Sequence, residues 1–64
     1  MPNKTEQGYI IEYMAVGSSV KVTAFDPRTL EEASIVGPAK APKQQLVDLA
    51  IKKLEYVKNK KTDP

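Results

Sequence analysis

The chain has 64 residues, a net charge of +2 and 41% hydrophobic residues, enough for one small domain near the lower limit for a core that folds without staples. It has no cysteine and no histidine, which excludes a disulfide frame and the usual zinc, iron or haem ligand sets. The longest apolar runs span a few residues, too short for a membrane helix or a signal-peptide core, so a cytoplasmic protein is expected.

Residues 1–7, "MPNKTEQ", are polar and aperiodic and read as a disordered tail. A single domain is expected over residues 8–60, with a second tail at 61–64. Gly17-Ser18 reads as a two-residue hairpin turn, with glycine where a positive φ is needed. Strand register then follows from parity. Val16 faces Ser19, Ala15 faces Val20, Tyr13 faces Val22 and Ile11 faces Ala24. One face carries Ile11, Tyr13, Val20, Val22 and Ala24, and this more apolar face is expected to meet the core. The other carries Ile10, Glu12, Met14, Lys21, Thr23 and Phe25.

The second turn yields to the same reasoning. A four-residue loop, Pro27 to Leu30, sets Asp26 against Glu31, Ala24 against Ala33 and Val22 against Ile35. A three-residue loop would point Glu32 into the core, which is costly for an unpaired carboxylate. Pro27 has its φ preset, and Asp26 can accept a bond from the turn backbone, so Asp26 reads as a turn former rather than a catalytic acid. Gly37-Pro38 then reads as the end of the third strand.

Pro42 suits the first position of a helix that runs to about Lys60. At about 100° per residue, Leu46, Val47, Ala50, Ile51, Leu54 and Val57 share one arc. Gln44, Gln45, Asp48, Lys52, Glu55 and Asn59 share the opposite one. Asp48 and Lys52 are spaced for an i,i+4 ion pair, and Tyr56 is expected to cover the end of the core. The expected fold is α+β: a three-stranded antiparallel meander sheet packed on one C-terminal helix, β-β-β-α. Ile11, Tyr13, Val22 and Ile35 should lie under the helix, with Phe25 on the opposite face.

The segments "VGSSVKVTAFDP", "SIVGPA" and "KLEYV" resemble a family of short, uncharacterised alphaproteobacterial proteins classed as a domain of unknown function. The resemblance covers about residues 8–60. It implies no activity, substrate or site residue. The family pattern has glycine where this chain has Leu30, and leucine disfavours the positive φ that glycine takes there.

Catalytic chemistry finds little footing. A serine nucleophile would need a lysine or carboxylate base, and Ser18 and Ser19 belong to a turn. Alternation sends Glu31 and Glu32 to opposite faces, and the three glycines lie too far apart for a phosphate loop. No catalytic, cofactor-binding or metal-binding residue is expected, and no enzyme. Five of the nine lysines lie in the last 13 positions, where they complement a helix C-terminus and keep it solvated.

What remains is the second sheet face, where Ile10, Met14, Phe25 and Val36 form a candidate interaction surface. The expected function is a non-enzymatic protein-interaction module acting through that face or a sheet edge, with an unknown protein partner or a weak homodimer. The alternative is single-stranded RNA or other nucleic acid held by Phe25 stacking and the lysines, a weaker reading because the face lacks clustered aromatics. No membrane partner is expected.

Overall fold

The computed structural model describes residues 3–5 and 7–62. The elements are β1 (Asn3–Lys4), β2 (Ile10–Val16), β3 (Ser19–Asp26), β4 (Glu31–Pro38) and α1 (Lys43–Thr62). They form one antiparallel sheet in the order β1-β2-β3-β4, with α1 on one face. The meander of β2, β3 and β4 followed by one helix is the α+β arrangement expected from parity.

Both hairpin registers agree residue for residue with the expected ones. Tyr13 pairs with Val22 and Ile11 with Ala24; Val22 pairs with Ile35 and Asp26 with Glu31. Gly17 takes φ 59° while Ser18 does not enter the positive region, the pattern of a type II′ hairpin turn. The second turn is closed by the Leu30 N–H donating to the Asp26 carbonyl at 2.7 Å, with Leu30 itself at φ 65°. A left-handed leucine is strained by about 1–2 kcal/mol, and this one is 74% exposed, so its side chain gains little from burial. Leu30→Gly is therefore expected to raise stability by about 0.5–1 kcal/mol, once the extra chain entropy of glycine is subtracted. A urea titration that shows no gain would mean the turn relaxes around leucine without strain.

Several expectations need correcting. Residues 1–7 are not all tail: Asn3 pairs with Ile11 and Lys4 with Ile10. Gly8 at φ 89° turns the chain back, and Thr5 fastens the turn, its N–H donating to the Tyr9 carbonyl at 2.8 Å and its Oγ1 accepting from the Tyr9 N–H at 3.1 Å. The helix extends two residues past Lys60, to Thr62, into the expected C-terminal tail; residues 63 and 64 lie outside the described residues. Pro42 precedes the helix rather than opening it. Its carbonyl accepts from the Gln45 and Leu46 N–H groups, so it holds the cap position.

The core consists of Tyr9, Ile11, Val22, Ala24 and Ala33 from the sheet side and Leu46, Val47, Ala50 and Leu54 from the helix. Val20, Ile35, Ala41 and Ile51 pack around it. The helix packs mainly on β4 and β3, to one side of β2. Tyr13, expected beneath it, is consequently 38% exposed, with the Lys43 ammonium 5.3 Å from the centre of its ring. Tyr56 is 61% exposed and does not cover the core end; Tyr9, at 4%, does. Asp48 accepts a bond from the Gln44 amide at 2.9 Å.

β4 ends at Gly37-Pro38 as expected, and Gly37 has a further role. It sits inside β4, where a Cβ would stand 2.6 Å from a buried methyl of Leu46. Absence of a side chain is what lets the first helical turn reach the sheet. Gly37→Ala is expected to cost about 1–3 kcal/mol by overpacking. Calorimetry of that variant with and without Leu46→Ala checks it, because the second change should relieve part of the loss.

Candidate functional site

Two places carry chemistry, on opposite faces of the sheet. On the helix side, Asp26 follows Val22 and Ala24 in the inward alternation of β3, and its carboxylate is inaccessible to solvent. Oδ1 accepts the Arg28 backbone N–H at 2.9 Å, the expected turn bond, and the Arg28 Nε at 3.4 Å. Oδ2 accepts from the Lys58 ammonium, which also donates to the Tyr9 hydroxyl at 3.3 Å and lies 4.9 Å from the centre of the Tyr9 ring. Arg28 reaches on to the Gln7 carbonyl at 3.4 Å.

The electrostatics of this cluster oppose acid–base work. The Lys58 bond, helped by the Arg28 N–H, lowers the Asp26 pKa from 3.8 to about 2 against the opposing effect of burial. The same bond to Asp26, followed by that to Tyr9, raises Lys58 above its ordinary value. At neutral pH the carboxylate holds no proton to give, and the amine is too fully charged to act as a base or nucleophile. Both carboxylate oxygens are occupied. The cluster is a fastening between the second turn, the helix end and the start of β2.

Parity could have found it. Extending the first register two residues past Ile11–Ala24 sets Tyr9 opposite Asp26 on the inward face, and Lys58 continues the helix series Leu46, Ala50, Leu54. What hides Lys58 is its place among the five C-terminal lysines, which read together as a solvated helix end.

On the open face the side chains form four rows across β2, β3 and β4: Ile10–Phe25–Glu32, Glu12–Thr23–Ser34, Met14–Lys21–Val36 and, at the hairpin end, Val16–Ser19–Pro38. Ile10 and Phe25 are half-buried against each other, whereas Met14 is 60% and Val36 69% exposed. The four candidate residues therefore share a face as one adjacent pair, Ile10 and Phe25, and two single residues, Met14 and Val36, held apart by Lys21. The polar row lies between the pair and the two single residues, its Thr23 and Ser34 hydroxyls joined at 2.8 Å. Glu12, Met14, Lys21, Thr23, Glu32 and Ser34 line an open depression of about 670 Å³ over this face.

Beyond both sites, β2 stands out. From Glu12 to Val16 every residue is exposed, although alternate side chains point to opposite faces. Among the described residues, no group of three or more acidic, histidine or cysteine side chains could hold a metal, and no helix is long and apolar enough to cross a membrane.

A family model described as Domain of unknown function (DUF6898) matches residues 6–61, nearly the whole chain. The chain belongs to this family. No curated protein and no solved structure matches it. Of the second-turn pattern, what the structure adds is that Leu30 occupies the left-handed position where glycine would be unstrained.

Proposed function

We propose that this domain is a non-enzymatic protein-interaction module of the cytoplasm, of alphaproteobacterial origin, working through the open sheet face and the adjoining edge of β2. The observation that carries the reading is the exposure of the whole segment Glu12–Val16, apolar at Tyr13, Met14, Ala15 and Val16. An edge strand whose side chains stay accessible on both faces is a template for pairing with another chain.

Nucleic acid is the poorer fit. The one phenylalanine of the open face is half-buried against Ile10, and Glu12 and Glu32 put two carboxylates on the same face as Lys21, where phosphates would have to lie. Affinity capture from cytosol on the immobilised chain tests the reading, with Met14→Glu as control because Met14 is exposed and its replacement should leave the fold intact. Recovery of specific proteins that the variant loses is expected. Equal recovery by both forms, or salt-sensitive binding to mixed single-stranded RNA instead, would overturn it.

A further inference from the structure

We propose that the free edge of β2 pairs antiparallel with the same edge of a second copy, about a two-fold axis through Met14, fusing two sheets into one. This rests on the interaction-module reading and names its partner. The hydrogen-bonding phase of the sheet decides which backbone groups are available. Lys53 Nζ donates to the Ser34 carbonyl at 2.9 Å from outside the sheet, so in β4 the backbone groups of Glu32, Ser34 and Val36 face the edge. The groups of Glu31, Ala33, Ile35 and Gly37 then bond to β3. Carried through the two registers, alternation turns Ile11, Tyr13 and Ala15 of β2 outward. The two-residue hairpin agrees, since Val16 and Ser19 close it as a bonded pair. Ile11 lies opposite Asn3 of β1, leaving the N–H and C=O of Tyr13 and Ala15 without a strand among the described residues.

Those four groups are self-complementary. An axis at Met14 sets Tyr13 against the second copy's Ala15 and Ala15 against its Tyr13, satisfying every one. An axis at Tyr13 would spend both groups of Ala15 on the already paired Ile11, and an axis at Ala15 would set Tyr13 against the turn residue Gly17; the Met14 axis brings only that turn residue to the level of Ile11, where β1 must give way to it. Side chains agree with this register. Tyr13 packs across the small Ala15 on the helix side, and Glu12 faces Val16 on the open side. The two Glu12 residues stay roughly 14 Å apart, while each comes within about 12 Å, Cα to Cα, of the second copy's Lys21. Like charges are thus kept from meeting at the seam. The helix, seated on β4 and β3, leaves the seam clear.

The far edge is guarded by contrast. In β4 one outward carbonyl is taken by Lys53, and Pro38 has no N–H to offer. Glu12–Val16 holds no proline, glycine or lysine.

The pairing is short, at the small end of specific interfaces, so a Kd of about 0.1–1 mM is expected. Sedimentation equilibrium on the full chain up to about 1 mM reads it. Met14→Glu opposes two carboxylates at the axis and should weaken the dimer at least about tenfold with the circular dichroism unchanged. In this cysteine-free chain, Met14→Cys should oxidise to a disulfide-linked dimer about tenfold faster than Val16→Cys, whose two copies lie far from each other. A chain monomeric at every concentration, a dimer indifferent to Met14→Glu, or equal cross-linking at both positions would overturn the inference. A monomer that still captures proteins through a Met14-sensitive surface overturns self-pairing alone; one that captures nothing overturns the interaction reading as well.

Discussion

Leu54→Ala is expected to cost about 2–5 kcal/mol, enough to unfold a large fraction of the molecules. Leu54 is wholly inaccessible at the centre of the helix–sheet contact, among Ile11, Val22, Ala24 and Ala50. Truncation there removes the transfer free energy of the buried carbons and leaves a cavity that a rigid sheet cannot close. A domain of this size nets only about 3–5 kcal/mol. The paired control is Phe25→Ala. Phenylalanine is the larger residue, but it lies on the face away from the helix and is only half-buried, so its loss should cost under about 1.5 kcal/mol. Chemical denaturation of the two variants side by side decides the matter. If Phe25→Ala proves the more damaging, the open face is not open, and the surface assigned to partners is part of the core.

The second large effect concerns the fastening at Asp26, and its signature is a dependence on pH. The folded carboxyl titrates at about 2 against an ordinary 3.8. Ionisation of Asp26 therefore favours the folded state at all pH values above 3.8, and this contribution is lost as pH falls through the folded value. Lys58 behaves in the opposite sense. Its folded pKa is raised by the Asp26 carboxylate, so its contribution is present below its ordinary value of 10.5 and fades as pH rises through the folded one. Asp26→Asn should lower the denaturation midpoint at neutral pH, because an inaccessible site facing the Lys58 ammonium loses its counter-charge. It should also flatten the fall in stability between about pH 4 and pH 2. Midpoints for both proteins at about pH 7, 4 and 2.5 suffice. An acid-induced loss of equal size in the variant would show that Asp26 is not its source.

The strand registers were legible because parity is unforgiving. A slip of one residue would have sent Val20, Val22 and Ala24 to solvent together, so alternation around two recognisable turns had a single solution. Placement of the helix across the sheet was not legible. Periodicity states which face of α1 is apolar but not which strands it covers, and Tyr13 was lost to solvent on that account. The two residues of β1 carry no pattern at all; they are held by a glycine at positive φ and one threonine hydroxyl. Of the candidate surface, the shared face of Ile10, Met14, Phe25 and Val36 was readable from alternation. Their division by the Thr23–Ser34 row became apparent only once three strands were set side by side. The edge of β2 was hidden for a further reason, since hydrogen-bonding phase belongs to backbone groups that every residue has.

The fastening also joins parts of the chain that are made at different times. Lys58 and Tyr9 are separated by 49 positions, and Lys58 and Asp26 by 32. The hairpins can form while the chain is still emerging from a ribosome, but Tyr9 has no lid until the last turns of α1 have cleared the exit. Departure of the helix end likewise frees Tyr9, the turn around Thr5 and β1 at once. The amides of the N-terminal hairpin and those of the final helical turns should therefore exchange with deuterium as one cooperative unit, at a common rate, ahead of the amides in the β3–β4 pair.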